Sequence, residues 1–445
     1  MVEVFKKNFF NKITSNLAKN ILMHKMLLIL ALYLPFQIAL NPAEGFDAAS
    51  IRVIILILFL VWLAKSLKEK KIVFPRNITT LLVISFLFLS LFSLFFSANS
   101  EWSLRKILFF FSVFPIYFVV ADVLNSQEKI LKIAKYLVLG GSLAALLGIT
   151  QFCLQFIFGL KPVYQFWADY LAVPFLGQTF SQAVLQNPSW LVNISGATYF
   201  RATATFPDPH MFSFFLGLLI PLALVLLIAN PKKIWFSVAL GLLLLADLLT
   251  FSRGGYLGLG AALITMPIIF WKEISQKYKK LFFGGLLVVA IFLAIPNPFS
   301  GRFFSSFNLK EGSNSGRIAT WKQAVDVIVE HPFWGVGLGN YPLEIKPTAN
   351  YREPIYAHNT YLDIATDSGI VNALIWIGIL IVTILKFFQR TKEHPLFWGA
   401  GLSLIVFATH SLVETAIFSP VVLTLFLIIL GFINCPLFLK NEENS

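Results

Sequence analysis

One stretch, His358-Asn-Thr-Tyr-Leu-Asp-Ile-Ala-Thr-Asp-Ser-Gly369, sets a histidine at the polar mouth of an apolar run that begins near Ile370. An imidazole takes up and releases a proton near neutral pH, so His358 is the candidate general base. Asn359 and Thr360 are helix-capping types and can cap the helix that follows, leaving the ring free for other work. Tyr361 and Asp363 stand near enough to orient the ring or an acceptor, or to serve the fold alone. Three arginines lie beside apolar segments: Arg201, Arg253 in the break Ser252-Arg253-Gly254-Gly255, and Arg317. A guanidinium offers a planar fork of donors matched to phosphate oxygens and keeps its charge, so several converging at one site would suit a diphosphate. The alternative for each arginine is to snorkel toward lipid headgroups. His410 and Glu414 are one turn apart in another apolar run, as a functional pair or a structural clamp. His210, after Asp208-Pro209, reads as structural or part of a cap, and Asp247 could pair with one of the arginines.

These residues need positioning, and the chain offers membrane helices to do it. Of its 445 residues 57% are hydrophobic and 13% charged, with mean hydropathy +0.77, which excludes an ordinary soluble domain. Apolar runs long enough to cross a bilayer recur throughout. The expected class is an all-α integral membrane protein of about twelve transmembrane helices. Their approximate cores are 26–40, 51–64, 78–97, 107–123, 134–158, 210–229, 234–251, 254–271, 281–296, 369–387, 396–415 and 418–435. The tail 1–25 carries Lys6, Lys7, Lys12, Lys19 and Lys25, and most of the 35 Lys and Arg fall on that side of the expected topology. Both this tail and the tail 437–445 are therefore expected in the cytoplasm, flanking a membrane domain over 26–436. The same pattern accounts for the net charge of +13 without a nucleic acid partner.

Two loops, about 159–209 and 296–358, fall outside and are long enough to be functional. The first is rich in aromatics (Tyr164, Phe166, Trp167, Tyr170, Trp190) and is expected to lie on the membrane interface. In the second, Arg317–His331 has helical periodicity, with Ile318, Trp321, Ala324, Val325 and Ile328 on one face and Arg317 pointing inward with them. Pro332 stops that helix, and Gly335-Val-Gly-Leu-Gly339 turns the chain tightly. Cys153 and Cys435 have no metal-ligand spacing, and no cleavable signal peptide is evident. There is no P-loop, no HExxH, no Asp-x-Asp and no serine elbow, so chemistry without a metal or a cofactor is expected.

Four pieces, in this order, resemble the O-antigen ligase-like membrane glycosyltransferases, a family that includes O-antigen polymerases and protein O-oligosaccharyltransferases. They are Arg201-Ala-Thr-Ala-Thr-Phe-Pro-Asp-Pro-His210, Thr250-Phe-Ser-Arg253-Gly-Gly, Arg317…Trp321 through Pro332-Phe-Trp-Gly-Val-Gly-Leu-Gly-Asn-Tyr341, and His358-Asn-Thr-Tyr-Leu leading to Gly369. Ala204, His210 and Asp367 depart from the Gly, Asn and Glu that the family often has there. The resemblance implies a GT-C-like fold in the cytoplasmic membrane of a bacterium. It implies transfer of a glycan from an undecaprenyl-diphosphate carrier to a hydroxyl of a glycolipid, glycan or protein on the outer face. His358 would be the base, Arg253, Arg317 and Arg201 would bind the diphosphate, and Asn359, Tyr361, His410 and Glu414 would support them. Beside a ligase stand a polymerase, a protein glycosyltransferase and, from another class, a small-solute transporter. Transporters place charges near the bilayer midplane.

Overall fold

The computed structural model describes residues 21–43, 46–70, 74–186, 189–194, 196–270, 276–305, 312–351 and 355–436. Most of the expected basic N-terminal tail, the whole C-terminal tail, and residues 306–311 and 352–354 of the second loop lie outside the described residues.

Helices dominate. α1 (Ile21–Phe36) leads to an antiparallel hairpin of β1 (Ala39–Ala43) and β2 (Phe46–Ala49). Then come α2 (Ser50–Lys68), α3 (Ile78–Phe92), α4 (Ser100–Val113), α5 (Pro115–Val123) and α6 (Gln127–Phe158). After the first long loop, which holds α7 to α9, follow α10 (Pro209–Ala229), α11 (Ile234–Leu249), α12 (Arg253–Phe270) and α13 (Gln276–Ala294). After the second come α18 (Ile370–Gln389), α19 (Pro395–His410) and α20 (Pro420–Gly431). Many starts are written in the sequence. Asn77, Asn99, Ser126, Asp208 and Ser419 each cap a helix through a side-chain oxygen, and Pro209 and Pro420 supply first-turn prolines.

Each expected span overlaps a helix, yet among the described residues only six helical stretches are both long and apolar enough to cross a membrane. Five more are apolar but shorter, among them α19, whose 16 residues rise about 24 Å against a hydrocarbon core of about 30 Å. Length alone therefore does not carry the count of twelve. α10 and α20 are apolar all round and buried all round, which makes them the centre of the bundle. α10 packs on α19, α11 and α6. α12 lies on α19 through a stripe of small residues, Gly254, Gly258 and Ala262, which lets the two backbones approach.

The first long loop does not simply lie on an interface. It folds into α7 (Leu160–Phe166), α8 (Val173–Leu176), α9 (Gln178–Gln186) and a hairpin of β3 (Leu191–Ile194) with β4 (Ala197–Phe200). Trp167, Trp190, Tyr164 and Phe200 form its own core, and only Phe166 and Tyr170 among the expected aromatics are exposed. Trp167 and Trp190 donate to the carbonyls of Ala204 and Pro207, so this cap grips the segment that carries Arg201 and Asp208. Burying an indole N–H requires such a partner, which is why these tryptophans turn inward.

The second long loop contains α14 (Pro298–Ser305), α15 (Gly312–Glu330) and α16 (Tyr341–Ile345), and α17 (Thr360–Ser368) follows it. α15 starts a turn before the expected helix and buries Ala324 and Val327, while Val325 is exposed, contrary to the expected face. The glycine turn docks on the end of α17, with Val336 N donating to Thr366 O and Ile370 N to Pro332 O.

Candidate active site

His358 stands at the start of α17 with φ +51°, a left-handed conformation that a non-glycine residue adopts at a cost of about 1–2 kcal/mol. Its surroundings enforce that conformation. Asn359 caps α17, accepting from the amides of Tyr361 and Leu362, as its type and place foretell. One residue before the histidine, Ala357 N donates to Asp363 Oδ1 at 2.8 Å, while Thr415 Oγ1 donates to Asp363 Oδ2. Thr360 does not cap. Its hydroxyl donates to Glu414 O and accepts from Ala416 N, and its amide donates to Ser411 O. Thr360 and Asp363 thus stitch the histidine's segment to residues 411–416. Tyr361 adds a bond from its hydroxyl to Ala408 O at 2.8 Å, a bracing contact rather than one to the histidine.

That stitching overturns one expectation. Glu414 is not inside an apolar helix one turn from His410: α19 ends at His410, and Glu414 lies in the irregular segment before α20. Its partner is His358, whose Nδ1 donates to Glu414 Oε1 at 2.7 Å. Arg317 Nη2 reaches the other oxygen, Oε2, at 3.2 Å. Arg317 points inward from α15, as its helical position predicts, with its side chain 15% exposed. Burial works against the Glu414 charge, but the His358 hydrogen bond and the charges of His358 and Arg317 outweigh it and hold the carboxyl well below its ordinary value. The same hydrogen bond raises the His358 pKa above 6.5, against the opposing effect of burial.

His358, Arg317, Glu414 and His210 open on one cavity of about 1050 Å³. It lies at the end of the bundle where α2, α10 and α20 begin and α19 ends, walled by β1, β2, the cap helices and aromatic side chains including Phe109, Phe206 and Phe418. Asp208 also lines it. Burial and the nearby Glu414 charge push its carboxyl up to about 6. The N-cap of α10 is Asp208, not His210, whose ring faces the cavity instead.

Arg201 and Arg253 do not line this cavity. Arg201 is 4% exposed, its Nε donating to Thr250 O at 2.7 Å, and its Nη2 is buried with no hydrogen-bond partner among the described residues. Burial and then the charge of Arg302 lower its pKa. Arg253 opens α12 and its Nη1 donates to Ser305 O of α14 at 3.4 Å. Gly254 and Gly255 let that turn sit so close that a Cβ at either would collide, with the His410 ring and with Ser213 Oγ respectively. Asp247 accepts from Ser213 at 2.6 Å and is paired with no arginine among the described ion pairs.

Three residues escaped the sequence reading. Arg302 had a signal, as an arginine among the phenylalanines of the short helix α14. Arg52 had one too, as a charge in the first turn of an apolar helix; it lines the cavity and donates to Ser112 Oγ at 2.8 Å. Ser252, which stands between two histidine rings, had none. Among the described residues, no three His, Cys, Asp or Glu side chains group as metal ligands. Such an arrangement can bind an anion, hold an imidazole as a base and shelter both in a part-apolar cavity. Residues 236–377, from α11 into α18, match the family model described as O-Antigen ligase, and no curated protein matches the chain.

Proposed function

We propose, from the premise that this is an O-antigen ligase-like membrane protein, that it transfers a glycan from an undecaprenyl-diphosphate-linked donor to an acceptor hydroxyl. The reaction takes place on the outer face of the cytoplasmic membrane, with inversion and without a metal. The observation that carries this reading is Glu414, held between His358 and Arg317 in the cavity wall. With Nδ1–H donated to Glu414, the other ring nitrogen of His358 is left to take the proton of the acceptor hydroxyl. The acceptor oxygen attacks the anomeric carbon as the bond from that carbon to the diphosphate oxygen breaks. Arg317 meets the charge that develops on the leaving diphosphate. Arg201 and Arg253 sit further back and add positive potential. For Arg201, a cation already disfavoured by burial, an arriving anion is a gain.

The test is an assay of purified, reconstituted protein with undecaprenyl-diphosphate-linked oligosaccharide, following release of lipid diphosphate with glycolipid, glycan and protein acceptors. Release by wild type that drops about 10²–10⁴-fold in His358→Ala and Arg317→Ala supports the site, and the productive acceptor names the subclass as ligase, polymerase or protein glycosyltransferase. Equal release by all three proteins would discard the site. No release with any acceptor would discard the transferase and favour the transporter.

A further inference from the structure

A second imidazole, His210, opens onto the cavity beside the first one's partner. Its Nε2 lies 4.0 Å from Glu414 Oε2, too far for a hydrogen bond. Oε2 also takes Arg317, but a carboxylate oxygen has a second acceptor position to offer. Behind the ring, His210 Nδ1 is 3.0 Å from Ser252 Oγ, and that hydroxyl is 3.3 Å from His410 Nε2. One hydroxyl carries one proton, so it donates to one ring and accepts from the other.

His410 decides the direction. It is fully buried, its ring stacked on Phe214 at 3.6 Å and 5°, and its Nδ1 has no hydrogen-bond partner among the described residues. Placing the ring proton on Nδ1 would bury an N–H donor with nothing to receive it, whereas an orphaned lone pair there costs less. His410 therefore carries its proton on Nε2 and donates it to Ser252. Ser252 then donates to His210 Nδ1, and the His210 proton sits on Nε2, facing the cavity. The His410 ring packs against Gly254, where a Cβ would collide with it.

We propose that His210 Nε2–H and Glu414 Oε2 together bind one hydroxyl of the sugar joined to the donor's diphosphate. The hydroxyl accepts from the imidazole and donates to the carboxylate, filling the 4.0 Å gap. A phosphate oxygen in that place would face a carboxylate, and a cation could not accept from the N–H; a hydroxyl satisfies both. The gap opens on Oε2, the oxygen that Arg317 also holds, while Oε1 of the same carboxylate holds the base. A sugar bound there sits beside both groups. This inference rests on the donor reading above. Ser252 and His410 are positioning residues in it.

The test uses the full chain in lipid nanodiscs and two probes. Undecaprenyl diphosphate carries no sugar hydroxyl; undecaprenyl-diphosphate-linked oligosaccharide does. His210→Leu is expected to weaken binding of the glycan-bearing lipid about tenfold or more while leaving the sugar-free lipid within about twofold. His210→Asn, which keeps an N–H donor, recovers most of the loss, and Ser252→Ala gives a smaller loss confined to the same probe. Both serve where His210→Leu fails to fold. The chain has six histidines, few enough for ¹⁵N shifts to show His210 unprotonated at Nδ1 in wild type and altered in Ser252→Ala. Equal weakening of both probes would make His210 a phosphate ligand and overturn the proposal, as would no change in either. A wild type that binds neither probe removes the donor reading and this assignment together, and is distinct from both.

Discussion

Replacing Glu414 by glutamine keeps the side chain's size but takes away the charge that both His358 and Arg317 hold. Three effects follow. The imidazole loses the partner that fixes its Nδ1–H tautomer, Arg317 loses its anchor, and the upward pull on the His358 pKa goes. A general base works in its neutral form, so wild-type kcat/KM should fall as pH drops through a value above the ordinary 6.5 of histidine. In Glu414→Gln the acid limb should move to lower pH, and the plateau should fall about 10²–10³-fold. Pre-steady-state rates across pH 5 to 9 would read both; an unmoved limb would separate Glu414 from the base. Strain marks the same neighbourhood. Among the described residues, the non-glycine positions with positive φ are Lys70, Ala204, Phe251 and His358. The last three lie in the segments that carry Arg201, Arg253 and the base, and residues held against their backbone preference cluster where the surrounding structure over-determines them.

At the scale of elements, the site depends on helix ends brought together by close backbone contacts. Gly369 ends α17 at φ +85°, with no room for a Cβ against the Phe333 carbonyl. Gly369→Ala should therefore cost about 2–4 kcal/mol from strain and displacement together, and lower the thermal midpoint of the purified protein. Gly258 on α12 meets the Val406 backbone, so Gly258→Leu should push α12 off α19 and carry Arg253 with it. The expected loss is in affinity for undecaprenyl diphosphate as well as in stability. A variant unfolding at the wild-type temperature with unchanged affinity would refute the close-packed α12–α19 contact. Much of this was legible. Asn359 as a cap, the inward Arg317 and the break before Arg253 all follow from residue type and period. The end of α19 was not, because Ser411–Ser419 reads as apolar and holds no glycine or proline to mark a stop. Thr360, 54 residues away from Glu414 in sequence, takes the backbone groups of Ser411, Glu414 and Ala416 that a longer helix would have used. No local pattern shows that. The cap's tryptophans were misplaced for a related reason: composition shows that indoles are amphipathic, not that carbonyls wait for them inside.

For the whole molecule, the cavity's position fixes what the topology must be if the chain is a transferase acting outside. The cavity sits where α2, α10 and α20 begin and α19 ends. The opposite ends carry lysines: Lys65 and Lys68 close α2, Lys129 and Lys132 open α6, and Lys232 and Lys233 precede α11. Positive charge is retained on the cytoplasmic side during insertion, so these lysines are expected inside and the cavity outside. The six long apolar helices agree with a multi-pass protein but do not choose a side. Cysteine accessibility does. In a background with Cys153 and Cys435 replaced, Gly196→Cys on the exposed β3–β4 turn should react with a membrane-impermeant maleimide in intact cells. Lys232→Cys should react only after the membrane is opened. The reverse pattern would put the cavity in the cytoplasm, where the mouth of the site would meet nucleotide-linked rather than translocated donors, and the proposed reaction would lose its setting even with every side-chain contact intact.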